Sequence, residues 1–99
     1  MKRNEKDEIK RDKAKAVKNS GRGFNKGDAT YHKFLVDYKH NGSTFTLSRE
    51  AWIKMRKDSW RSSYRYPCIS VVLGDDSDTK VAIIDWDVFN DLISGSEYE

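Results

Sequence analysis

Between Gly27 and Lys39 the chain reads as two short strands folded back on a two-residue turn, and this hairpin constrains what can form around it. With the turn centred between His32 and Lys33, Thr30 faces Leu35, Ala29 faces Val36 and Asp28 faces Asp37. Directly opposed residues of an antiparallel pair point to the same side of the sheet, about 5 Å apart. Two carboxylates so placed repel, and a cation held between them would remove the conflict. Lys39, two residues beyond Asp37, falls on the same strand face. Two acids and an amine on one small surface are a minimal set for metal-dependent cleavage of a phosphodiester. A polar hairpin with incidental charges fits the same spacing.

A chain of 99 residues makes one domain with a small core. Its one cysteine, Cys68, leads into the apolar run Ile69 to Leu73 and reads as a buried strand thiol. A lone cysteine forms no intramolecular disulfide and offers no zinc-ligand spacing, which fits a reducing cytoplasm. No apolar stretch is long enough to cross a bilayer and the N-terminus lacks a hydrophobic segment, so a soluble intracellular protein with no membrane partner is expected. The net charge of +3 conceals an asymmetry: residues 1–65 hold every Lys and Arg except Lys80, and the segment after Tyr66 is acidic. A basic front with an acidic back is a footprint for a polyanion, of which nucleic acid is the common one. A solvated charged helix explains Lys2 to Lys18 almost as well. It explains less well Arg22, Lys26, Lys39, Lys54, Arg56, Lys57 and Arg61, which flank the acid pair or follow it in a helix.

The expected organisation is a basic N-terminal helix or arm over residues 1–18 and a single domain over 19–99. Asn19 to Gly27, with three glycines, reads as a loop. After the hairpin, Asn41-Gly42 signals a turn into a short third strand, Thr44 to Leu47. Ser48 is the expected N-cap of a helix running to about Ser62, with Trp52, Ile53, Met55 and Trp60 on its core face. Pro67 excludes helix and opens a buried strand to Leu73. Asp75 to Asp78 form a turn, lacking the register of a calcium loop. Lys80 to Ile84 is the next strand, and Asp85 caps a last helix, Trp86 to Ile93, ended by Gly95. The class is α/β (α+β): a small mixed sheet of about five strands flanked by helices, in the order αβββαββα.

Asn19-Ser20-Gly21-Arg22-Gly23, Lys26-Gly27-Asp28 and Phe34-Leu35-Val36-Asp37-Tyr38-Lys39 together resemble the motif set of the PD-(D/E)xK nuclease superfamily, most closely the small bacteriophage Holliday junction resolvase-like nucleases. The similarity continues through Ser43 to Arg49, the Trp52 helix, the Pro67 strand and the Val88-Phe89 helix, covering roughly residues 19–93. It implies a restriction endonuclease-like core and a Mg²⁺-dependent endonuclease acting on DNA, with Mn²⁺ as a substitute and no organic cofactor. Asp28, Asp37 and the backbone carbonyl of Tyr38 would bind the metal. Lys39 would orient or help deprotonate the attacking water and stabilise the charge that develops on phosphate. The setting implied is the cytoplasm of a phage-infected bacterial cell.

The chain departs from the family pattern in two places. Asp37 stands where many relatives carry Glu, and the shorter arm retracts the carboxylate by about 1.5 Å. Relatives often place a further acid on the first helix; Glu5, Glu8 and Asp12 are candidates here, with Glu8 preferred. In the glycine loop, Ser20, Arg22 and Lys26 can each contact phosphate, as they would in resolvase-like relatives, although a plain linker fits too. On the following helix Lys54, Lys57 and Arg61 share a face and are the expected DNA contacts, while Arg56 lies with Trp52 and Trp60. A four-way junction has two-fold symmetry and needs two nicks, so a homodimer on branched or duplex DNA is expected. The alternatives are a non-catalytic DNA-binding or recombination accessory protein on the same fold, and a simple nicking nuclease.

Overall fold

The hairpin forms in the expected register. In a computed structural model describing residues 5–16, 28–61, 65–74 and 79–95, β2 (Asp28–Tyr31) pairs antiparallel with β3 (Phe34–Asn41). The pairs are Asp28↔Asp37, Ala29↔Val36, Thr30↔Leu35 and Tyr31↔Phe34. The two-residue turn needs a positive φ, and His32 supplies it at 54°, a conformation that favours glycine. The turn is held from outside: Arg65 donates to the His32 carbonyl at 2.6 Å and the Tyr66 amide donates to the Lys33 carbonyl at 2.9 Å.

The other edge of β3 pairs in parallel with β4 (Tyr66–Leu73), and β4 pairs antiparallel with β5 (Lys80–Ile83). These four strands form a mixed sheet flanked by helices, in a small α/β domain, and a two-residue strand, β1 (Lys15–Ala16), adds to the β2 edge. The helices are α1 (Glu5–Asp12), α2 (Arg49–Arg61) and α3 (Trp86–Ser94). Among the described residues no helix is long and apolar enough to cross a membrane.

Two elements differ from the sequence reading. Thr44 to Leu47 is not a strand. Both edges of β3 are already taken, by β2 and β4, so the segment cannot fold back onto β3 after the Asn41-Gly42 turn. Residues 1–18 do not form one helix either, because α1 stops at Asp12. Lys13 takes a left-handed φ of 58°. The Lys13 amide bonds the Lys10 carbonyl at 3.1 Å and the Ala14 amide bonds the Ile9 carbonyl at 3.0 Å. That pair of bonds is a Schellman ending with lysine in place of glycine, and Ala14 packs on the cluster containing Ile9, the apolar contact that often accompanies the motif. The chain then turns back in time to form β1.

The alternation of β3 sends its side chains to two covered faces. On one, Ile9 of α1 packs with Ala29, Val36, Tyr38 and Cys68. On the other, Leu35, Ile69 and Val71 are buried. Because α1 occupies the first face, α2, packed on β4, is the layer that covers the second. Ser48 caps α2 as expected, its hydroxyl accepting from the Ala51 amide at 3.1 Å. The core stripe of α2 is not the one expected throughout: Trp60 is 64% exposed and Ser59 is buried. Residue 59 lies seven places from Trp52 and comes back to the same side of the helix, whereas residue 60 is rotated about 80° from it.

Asp85 sits at the N-cap position of α3 with an extended backbone, but its side chain does not cap the helix. Its carboxylate instead accepts from the Trp52 indole at 2.8 Å and from the Arg56 guanidinium, tying α2 to the start of α3. The hydrogen bond from Arg56 is the main reason the Asp85 carboxyl titrates below the usual carboxylate range; Trp52 adds to it and partial burial opposes. A folded-state value below the unfolded one stabilises the protein above about pH 4, and that stabilisation is lost as pH falls through the folded value. Asp85→Ala should therefore lower Tm at pH 7. The gap from wild type should narrow below about pH 4, as thermal melts across a pH series would record.

Candidate active site

Asp37 and Lys39 emerge from β3 on the α2-covered face, two residues apart, with Asp37 Oδ2 and Lys39 Nζ separated by 3.5 Å. Asp37 is 13% exposed and Lys39 36% exposed, so the acid is set into the surface and the amine reaches past it. The parallel register puts Asp37 beside Ile69 and Lys39 beside Val71 on β4. These apolar neighbours lower the local dielectric and strengthen any charge interaction made there. Across the hairpin the backbone of Asp28 stands directly opposite Asp37, at the first residue of β2. The Asp28 side chain itself lies outside the described part of the structure. The Tyr38 side chain faces the other way, into the α1 core, where it is 1% exposed.

The expected further acid is not brought to this place. Glu8 is 1% exposed, and its Oε1 takes the Lys80 ammonium at 3.0 Å. Lys80 is aligned with Val72, which is aligned with His40, so the pair lies on the Tyr38 face, across the sheet from Asp37. The cause is the packing of α1: Ile9 has to reach the cluster of Ala29, Val36, Tyr38 and Cys68, and that carries Glu8 to the same side. Asp12 joins the group, accepting from Lys80 at 2.7 Å and from the Tyr38 hydroxyl at 2.8 Å. Burial first, and then the Asp12 hydrogen bond, push the ionisation of Tyr38 well above its ordinary value. It therefore stays a neutral hydroxyl donor. Nothing in the spacing of Glu8 and Asp12 foretold this network. The one signal was Lys80 itself, the single cation after residue 65.

Lys54, Lys57 and Arg61 are exposed. At about 100° per residue they fall opposite Trp52 and so form a stripe on the outer side of α2. Arg56 is on the inner side and is committed to Asp85. Ser20, Arg22 and Lys26, and the turn expected over Asp75 to Asp78, lie outside the described residues. No family model, curated protein or solved structure matches this chain.

An acid pair opposed by backbone register, with a lysine against one of its members, has few uses in a structural hairpin. Like charges directly opposite destabilise an antiparallel pair. Aspartate carboxylates and a backbone carbonyl such as that of Tyr38 are hard oxygen donors, the kind that Mg²⁺ or Mn²⁺ would take rather than a soft metal.

Proposed function

We propose that this protein is a metal-dependent DNA endonuclease acting on branched DNA, with the mixed sheet serving as a restriction endonuclease-like core. The observation that carries the reading is the Asp28↔Asp37 register together with Lys39 at 3.5 Å from Asp37. Asp28, Asp37 and the Tyr38 carbonyl would hold Mg²⁺. When bound, the ion supplies a Lewis acid and an activated water. The chain's own residues do the rest. Asp37, through its ion pair, holds the Lys39 ammonium at the site. The ammonium offers proton donors to the negative charge that grows on the phosphate oxygens as the phosphodiester is attacked. The stripe of Lys54, Lys57 and Arg61 supplies cations for the DNA backbone, contacts that position the duplex without reading its sequence. Ser20, Arg22 and Lys26 are proposed as further backbone contacts on the resemblance of their loop. Glu8 is left out of the metal set, since Lys80 holds it across the sheet.

A homodimer belongs to the same proposal, because resolving a junction takes two nicks related by a two-fold axis. The test is to incubate a labelled four-way junction, a fork and a linear duplex with Mg²⁺, with Ca²⁺ and with EDTA. Cleavage of the branched substrates should require Mg²⁺ or Mn²⁺. Ca²⁺ should support binding with little cleavage, its looser and longer coordination positioning water poorly. Cutting in EDTA would overturn the metal mechanism. Binding without cutting under every condition would favour an accessory DNA-binding protein.

A further inference from the structure

Tyr31, Phe34 and Tyr66 stand in one row across three strands. Tyr31 is opposed to Phe34 in the hairpin, and Phe34 is aligned with Tyr66 in the parallel pair. Aligned residues of neighbouring strands share a face, here the one that carries Tyr38. Phe34 packs against the Ile9 cluster, yet Tyr31 is 38% exposed and Tyr66 44%. Each tyrosine thus leaves more than a third of its surface in water, so packing the core does not account for the row. The rings of Phe34 and Tyr66 lie 6.0 Å apart, and the His32 ring meets Tyr31 at 4.4 Å. Phe34 and Tyr66 also line a cleft of about 130 Å³, together with Lys33 and with Val88, Asp91 and Leu92 of α3. A cavity of roughly 150 Å³ holds a benzene-sized ring, so a single flat ring enters this cleft and a base pair does not.

The charges around the cleft narrow the occupant. Lys33 and Asp91 are both exposed on it and, among the described residues, neither forms an ion pair. An apolar segment seated there would cover both charges without giving either a partner. Arg65 sets a second positive charge behind the turn, its guanidinium donating to the His32 carbonyl at 2.6 Å. Aromatic faces stack on any nucleobase, and cations beside them hold the phosphates that link successive bases. Asp91 adds a hydrogen-bond acceptor. Every nucleobase carries an N–H on its pairing edge, and a duplex uses that edge up. The carboxylate therefore favours an unpaired base over a paired one.

We propose that this end of the sheet binds single-stranded nucleic acid. One unpaired base enters the cleft against Tyr66 and Phe34, and its flanking phosphates rest on Lys33 and Arg65. The site goes beyond the cleavage reading and does not depend on it. Asp37 and Lys39 leave β3 on the opposite face, and Phe34 lies about 10 Å along the strand from Asp37.

Fluorescence anisotropy of a labelled ten-nucleotide oligo(dT), in EDTA and low salt, reads the binding with cleavage playing no part. The wild-type chain should bind it, and should bind oligo(U) equally, because none of the groups named meets the sugar. Tyr66→Ala should weaken binding at least about fivefold, the loss expected when a stacked base loses its aromatic partner. Tyr66→Phe should keep it. Lys33→Gln should flatten the slope of log affinity against log salt by about 0.7. Should circular dichroism show Tyr66→Ala to be unfolded, cross-linking of the wild type decides. An oligonucleotide carrying iododeoxyuridine, irradiated on the protein and mapped by mass spectrometry, should attach at Tyr66 or Phe34. No binding at about 100 µM protein, an affinity indifferent to Tyr66→Ala, or attachment confined to α2 would each overturn the assignment.

Discussion

Asp37→Asn should reduce cleavage of branched DNA by at least about a hundredfold while leaving DNA affinity unchanged or higher. The carboxylate does two things at the site. It is one of the two acids that would hold the metal, and its Oδ2 holds the Lys39 ammonium at 3.5 Å. The amide removes the charge from both roles with almost no change in shape, so the fold should persist. Affinity does not fall, because one negative charge near phosphate is gone. Lys39→Ala should show a loss of the same order for a different reason: the metal set is intact and the charge stabiliser is absent. Asp28→Asn should match Asp37→Asn, since the register makes them a pair. Single-turnover rates with a labelled junction, beside a binding titration in Ca²⁺, separate the two effects. Cleavage by Asp37→Asn at the wild-type rate would remove the site assigned here.

Lys80→Met should destabilise the protein by about 3 kcal/mol, the usual consequence of removing one partner from a buried ion pair. In a domain of this size that lowers Tm by more than about 10 °C. Lys80 is the cation that Glu8 and Asp12 share, at 3.0 and 2.7 Å, and Glu8 is 1% exposed. Arg11 remains near Glu8 at 3.5 Å, but it is more exposed and the contact is longer. The second substitution Glu8→Gln, made on the Lys80→Met background, should recover part of the loss by removing the stranded charge. Urea denaturation of the single and double variants measures both quantities. A Lys80→Met protein within about 0.5 kcal/mol of wild type would mean that the network contributes little to holding α1 on the sheet. Because the network lies across the sheet from Asp37, cleavage by variants that remain folded should be nearly normal.

What was legible in the chain was local. The turn at His32-Lys33 and the alternation on either side of it determine the Asp28↔Asp37 register, since a slip of one residue would send Val36 to the wrong face. Ser48 could be read as a cap because its partner, the Ala51 amide, is three residues away. Pro67 and the apolar run after it gave a strand for the same reason. The errors at Thr44 to Leu47 and at Asp85 came from partners distant in sequence. Thr44 to Leu47 has the alternation of a strand, and pairing with β2 and β4 had already used both edges of β3. Asp85 has the position and backbone of an N-cap, but Trp52 and Arg56, more than twenty-five residues away, take its carboxylate.

Glu8 shows the same division at the candidate site. Its place on α1 made it a credible metal ligand, and no local rule says which face of the sheet a short helix will choose. That choice was made by Ile9, which is buried against Val36, Tyr38 and Cys68 and brings Glu8 within reach of Lys80. The sequence by itself determined the acid pair, the lysine beside it and the cation stripe of α2, because each follows from the repeat of a single strand, turn or helix. Only the tertiary structure decided that Glu8 is a counterion of Lys80 on the opposite side of the sheet from Asp37 and Lys39. That role depends on the side of the sheet a helix packs against, and long-range burial of apolar surface sets that side rather than any spacing along the chain.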